Sequence, residues 1–125
     1  MNHQQVKLLG EKYAKVRKHL LPALELCGGT HNEADLWNGL QSEKMQLWPG
    51  KESAIVTEVI EYPRLRACHF WLVGGDMDEV LEMEPEIVAW AKSSGCKKIT
   101  ASGRRGWERQ LKHWKLQSVN ITRDV

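Results

Sequence analysis

This chain has little of what would place it in a specialised class. Its three cysteines, Cys27, Cys68 and Cys96, are widely spaced and form no C-x-x-C pair. That excludes a zinc ribbon or a dithiol redox motif and leaves each as a small, buried apolar residue. The longest uncharged apolar run, around Phe70-Trp71-Leu72-Val73, is far too short to cross a bilayer. The N-terminus lacks the apolar centre of a signal peptide, so a reducing compartment is expected. Charge is nearly balanced at a net +2, without a basic block or tail, so nucleic acid is not an expected partner. No G-x-S-x-G, Walker loop or H-E-x-x-H occurs. His31, His69 and His113 share no local spacing, His3 and His19 lie sixteen residues apart, and no metal site is expected. With no repeat, linker or low-complexity stretch, residues 1–125 read as a single domain, long enough to bury an ordinary core.

What is present is patterned. Aromatic usage is skewed to six Trp against two Tyr and one Phe, an excess that favours a binding surface over a bare scaffold. Val6, Leu9, Tyr13, Val16, Leu20 and Leu24 recur at spacings of three and four, which predicts an amphipathic helix with a basic outer face of Lys7, Lys12, Lys15, Arg17 and Lys18. Pro22 is expected to kink or restart it, and Cys27-Gly28-Gly29 to end it. Thr30-His31-Asn32-Glu33 reads as a capping box opening a second helix through Leu36, Trp37 and Leu40.

Met45–Trp48 is a short strand closed by Pro49-Gly50. Ser53–Tyr62, rich in β-branched residues, and Arg66–Val73 form an expected antiparallel hairpin. Gly74-Gly75 breaks it, and Asp76 or Asp78 caps a third helix ending at Ser93-Ser94-Gly95, with Pro85 interrupting it or lying in its first turn. A strand at Cys96–Ala101, a helix over Trp107–Leu116 and a last strand at Ser118–Thr122 complete the order α-α-β-β-β-α-β-α-β. The fold class is α/β (α+β), a mixed, mainly antiparallel sheet flanked by helices.

Between the penultimate strand and the last helix lies Gly103-Arg104-Arg105-Gly106-Trp107. A glycine-flanked Arg pair there sets two cations beside the free N–H groups of a helix N-terminus, where an anion would bind. A solvated connection explains the pair equally well. The following residues Arg109, Lys112 and Lys115 alternate with Trp114, as a strand-binding nucleic-acid surface would. An amphipathic helix with Trp107, Leu111 and Trp114 on its core face accounts for that alternation better.

The element order resembles the fold of the GNAT family of N-acetyltransferases. More narrowly, Gly28-Gly29-Thr30-His31, Gln46–Gly50, Ser53–Glu58, Phe70–Gly75 and Gly103–Trp107 resemble small GNAT-like proteins encoded by tailed bacteriophages and prophages. The resemblance implies a protein made in the cytoplasm of the bacterial host, with phage proteins as partners, a homo-oligomer as a further option, and incorporation in the phage particle.

In working members of the family the turn after the fourth strand reads R/Q-x-x-G-x-G/A, and its N–H groups hold the coenzyme A pyrophosphate. Here it reads Val73-Gly74-Gly75-Asp76-Met77-Asp78-Glu79, with the spacing altered, no preceding cation and three acids. A base on the central strands and a Tyr on the last helix are also implied. Glu58 and Glu61 could supply the base, while His113 or Cys96 would stand in for the missing Tyr. Glu58 reads better as a half-buried strand residue pairing with Arg66 or another neighbour across the hairpin than as a base.

The resemblance therefore favours a binding or structural component without acetyltransferase activity or cofactor, with Gly103, Arg104, Arg105, Gly106 and Trp107 as the partner contact. The alternative is an acetyl-CoA-dependent N-acetyltransferase with a remodelled site using Gly74, Gly75, Arg104 and Arg105.

Overall fold

The computed structural model describes residues 1–102, 111, 113–119 and 121–125. Seven elements follow one another: α1 (His3–Glu25), α2 (Glu33–Gln41), β1 (Met45–Pro49), β2 (Ser53–Glu61), β3 (Arg66–Gly75), α3 (Met77–Ser93) and β4 (Lys98–Ala101). The sheet runs in the order β1-β2-β3-β4, antiparallel except for the β3–β4 pair, which α3 connects as a parallel crossover. This is the mixed, mainly antiparallel architecture expected from the order of apolar patterns.

Several boundaries differ from expectation for identifiable reasons. Neither Pro22 nor Pro85 interrupts its helix. A proline inside a helix costs about 3 kcal/mol in lost bonding and crowding, and the apolar stripes outweigh it. Leu20 and Leu24 flank Pro22, and Val80, Ile87 and Ala91 are buried around Pro85. The cap of α2 is Asn32 rather than Thr30: Asn32 accepts from the Asp35 N–H, and the Asp35 carboxylate accepts from the Asn32 N–H. Gly74-Gly75 does not break the hairpin but forms its last paired positions, opposite Ala54 and Ser53.

At the C-terminal end, Leu111 and His113–Leu116 carry no helix, and Ser118, Val119, Ile121 and Thr122 no strand. The rest of the expected last helix lies outside the described residues.

The sheet has a core on each face. On one, Tyr13, Val16, Leu20 and Leu24 of α1 and Leu36 and Leu40 of α2 bury Ala54, Val56 and Leu72. On the other, Val80, Ile87 and Ala91 of α3 bury Ile55, Cys68 and Phe70, with Cys96 beside them. A β-bulge joins the two patterns. Val56 pairs with Leu72 but Thr57 with Phe70, leaving Trp71 as the extra residue. Phe70 therefore packs with α3 and Leu72 with α1 and α2, although both would share a face in an unbroken strand. The described Trp residues pack, partly buried, against the rest of the fold: Trp37 lies on Tyr13, Trp48 on Trp90, Trp71 on His31 and Trp114 on Phe70.

Two contacts fix α1. Arg17 forms a two-pronged ion pair with Glu33, at 2.5 and 2.9 Å, and the Tyr13 hydroxyl donates to the same carboxylate at 2.8 Å. The Arg17 and Tyr13 hydrogen bonds hold the Glu33 carboxyl down to about 2, and burial with the Glu33 bond pushes the Tyr13 phenol up to about 12. Further along, the backbone of α1 at His19 lies so close to Gly74 that any Cβ there would overlap the His19 carbonyl.

Two outcomes follow from these contacts. Gly74→Ala should destabilise the protein by about 1–3 kcal/mol in chemical unfolding, because neither backbone can yield freely; a loss under roughly 0.5 kcal/mol, within the ordinary surface range, would exclude that close approach. The folded carboxyl of Glu33 titrates below its ordinary 4.5, so its contribution is complete above that value and disappears as pH falls towards 2. Acid unfolding of Glu33→Gln should therefore show a shallower stability slope over this window than the parent.

Candidate functional site

Two features lie towards the C-terminal end of β3, and a third lies on the opposite face in its N-terminal half. The first is the turn into α3. Asp76 caps the helix, its carboxylate accepting from the Asp78 N–H at 3.0 Å, while the Asp76 N–H donates to the Glu52 carbonyl at 3.0 Å. Glu79 reaches back to accept from the Glu52 N–H at 3.0 Å and from the Ser53 hydroxyl. The Ser53 hydrogen bond, first among the causes, lowers the Glu79 carboxyl from its usual value. Gly75 has φ +100, and a Cβ on it would strike the Glu52–Ser53 backbone. Both glycines thus serve close backbone packing within the chain.

The second feature is the end of the parallel pair. β3 pairs with β4 from Ala67 to Phe70, opposite Lys98 to Ala101, and β3 then extends to Gly75 with no further partner on that side among the described residues. The opening beside Phe70 and Ala101 leads into an apolar cleft under α3, bounded by Val73, Met77, Leu81 and Trp114. Trp114 forms one of its walls. Its ring meets Phe70 edge-on at 5.5 Å, and its indole N–H donates to Glu84 at 2.6 Å. About 20 Å³ remains for water-sized occupants, room for roughly one water molecule.

The third feature is a polar row across the opposite face. Glu58 on β2 stands beside His69 on β3, which stands beside Thr100 on β4. His69 Nδ1 lies 2.8 Å from the Thr100 hydroxyl, and its Nε2 is 3.5 Å from the Ser102 hydroxyl. Burial pushes the His69 imidazole below its usual value, and the Glu58 carboxylate partly opposes that. An imidazole beside a carboxylate is a common arrangement for exchanging a proton.

The sequence-derived candidates separate in space. Glu58 belongs to this row, facing His69 rather than Arg66. Arg66 instead pairs with Glu61 and donates to the Ser94 carbonyl at 2.7 Å, which ties the hairpin to the end of α3. Glu61 is engaged as a structural partner. Cys96 is buried behind the sheet, and burial raises its thiol. His113 is exposed in a turn. Gly74 and Gly75 end β3 as described. Gly103, Arg104, Arg105, Gly106 and Trp107 lie outside the described residues. His69 escaped the reading of the sequence, although a hairpin register counted from Glu61 opposite Arg66 would have placed it against Glu58.

No family model matches the chain, and no curated protein matches it. A solved structure does: the crystal structure of a GNAT family acetyltransferase from Staphylococcus aureus subsp. aureus USA300_TCH1516. It aligns with a TM-score of 0.53 at 13% identity, covering 100% of this chain and 95% of that one. At such identity the likeness establishes the fold, which is GNAT-like, and leaves activity to be argued from the site.

The site makes one measurable statement about charge. The His69 imidazole should titrate below 6.5 when followed by NMR. Glu58→Gln should lower it further, since the carboxylate favours the protonated ring. A rise in that variant would mean that the two residues do not face each other.

Proposed function

We propose that this chain uses a GNAT-like fold for binding or structure and does not transfer acetyl groups from coenzyme A. The observation that carries the reading is the first turn of α3. There the Asp76 and Asp78 N–H groups are already taken by Glu52 and Asp76, and Asp76, Asp78 and Glu79 surround the helix start. A pyrophosphate needs free N–H groups and a positive potential at a helix N-terminus, and this turn supplies neither in sufficient measure. A single like-charge contact at 4 Å costs about 1 kcal/mol in water and several times more near a protein surface. The residues present do not suit the group. The same acids are good caps for α3, which is why they fit the fold while opposing the ligand.

The finer assignment, a component of a tailed phage that contacts phage proteins through Gly103–Trp107, rests on the phrase-level resemblance and on the chemistry of a paired Arg turn. Guanidinium pairs recognise carboxylate or phosphate by two-pronged hydrogen bonds.

A second reading has its own support. The cleft beside the last β3–β4 pair and the Glu58–His69 pair suit an acyltransferase with a remodelled cofactor site, and the structural neighbour carries the name acetyltransferase. Here Arg104 and Arg105, rather than the turn into α3, would meet the phosphates.

Calorimetric titration with acetyl-coenzyme A and coenzyme A separates the two. The binding reading expects no heat and no thermal stabilisation up to millimolar ligand. Micromolar binding that Arg104→Ala with Arg105→Ala abolishes would overturn it in favour of the transferase. The same double variant should keep the parental melting temperature and weaken capture of the partner; loss of folding would make the Arg pair structural.

A further inference from the structure

Helix α3 presents two flanks. Met77, Val80, Leu81 and Glu84 line the cleft shared with Leu111 and Trp114. Glu79, Glu82 and Met83 fall about half a helical turn away, on the opposite flank. There they line a solvent-open groove with α1 and the turn between β1 and β2. Its volume is about 550 Å³, within the roughly 300–1,000 Å³ usual for binding sites.

Contacts within the chain hold the walls of this groove. Val16 and Leu20 seat α1 in the core, and the α1 backbone at His19 lies against Gly74. Glu79 ties the turn to α3 by accepting from the Glu52 N–H and the Ser53 hydroxyl. Gly50 leaves room for that carboxylate, which a Cβ would strike. The concavity is therefore preformed, and little ordering is needed on binding.

Charge is distributed unevenly around it. Lys12 and Lys15, about one turn apart on α1, and Lys51 bring three ammonium groups to the groove. All three are exposed, and the ion pairs among the described residues, Arg17–Glu33 and Arg66–Glu61, include none of them. On the α3 wall Glu79 is committed to the turn, which leaves Glu82. Val16, Pro49 and Met83 give an apolar floor. A nucleic-acid strand carries a phosphate at every step and would meet Glu79 and Glu82 with like charge. A peptide can instead place carboxylates at the lysines, an apolar side chain on the floor and a backbone N–H at Glu82.

We propose that this groove binds an extended acidic segment of a protein partner, with carboxylates on Lys12, Lys15 and Lys51 and an apolar side chain over Val16, Pro49 and Met83. The site uses none of Gly103–Trp107 and does not depend on whether the chain transfers acetyl groups.

NMR titration of the full chain with the blocked peptide acetyl-Glu-Glu-Leu-Glu-Glu-amide tests this. Amide signals of Lys15, Gly50, Lys51 and Glu82 should move together, with a Kd below about 1 mM. Lys12→Glu with Lys15→Glu should weaken binding on the order of tenfold, and Lys51→Gln by a smaller factor. Both variants change exposed residues and should melt within about 2 °C of the parent. A peptide with Ser in place of Leu should bind more weakly, and equal binding would overturn the proposal. So would unmoved amides at millimolar peptide. Shifts spread along Lys7, Lys12 and Lys18 without Gly50 or Glu82 would also overturn it, since the peptide would then meet only a charged helix face. Tighter binding of an oligothymidylate at the same amides would replace the peptide by nucleic acid as the occupant and end the proposal.

Discussion

The β2–β3 ladder is the constraint on which the other elements depend. It runs from Ser53 opposite Gly75 to Glu61 opposite Arg66, and it contributes strands to both cores. The bulge at Trp71 is what allows this. By inserting one residue between Phe70 and Leu72, it turns the C-terminal part of β3 so that Leu72 faces α1 and α2 while Phe70 and Val73 face α3. It also falls just after the last β3 residue paired with β4. The change of face and the end of the β3–β4 pairing therefore occur at one place.

Around that place the chain satisfies its own polar groups. The β1–β2 turn, the end of β3 and the first turn of α3 are joined through Glu52, Ser53, Asp76 and Glu79. Trp114 lines the adjacent cleft and finds a carboxylate for its N–H. On the opposite face, Glu58, His69 and Thr100 remain as a connected polar row. The sheet thus carries a polar row on one face and an acidic turn at the start of α3.

Glycine shows the same economy of contacts in another form. Gly74 and Gly75 read, in sequence, as a break or a ligand cradle. In the structure one accommodates the α1 backbone at His19 and the other the turn at Glu52–Ser53. A glycine pair reports close approach of backbone, but not whether the approaching group is a ligand or the protein itself. A similar ambiguity affected tryptophan: large amphipathic rings suit interfaces and cores alike, and the described ones lie in or against the core.

The sequence by itself determined the element order through β4, because apolar spacings of three to four and of two depend only on local geometry. It determined the existence of the hairpin, narrowed the cap of α3 to Asp76 or Asp78 and showed the acidic character of the turn. Tertiary structure alone decided the rest. Helices pass through Pro22 and Pro85 because the burial on either side outweighs a local defect. Glu61 is taken by Arg66 and Glu58 is set beside His69, because strand register fixes partners that sequence distance does not reveal. Trp114 lines the cleft and the two glycines lie against backbone because only packing decides what fills a space. Local preferences are written residue by residue, whereas partners across the sheet are chosen by the whole fold.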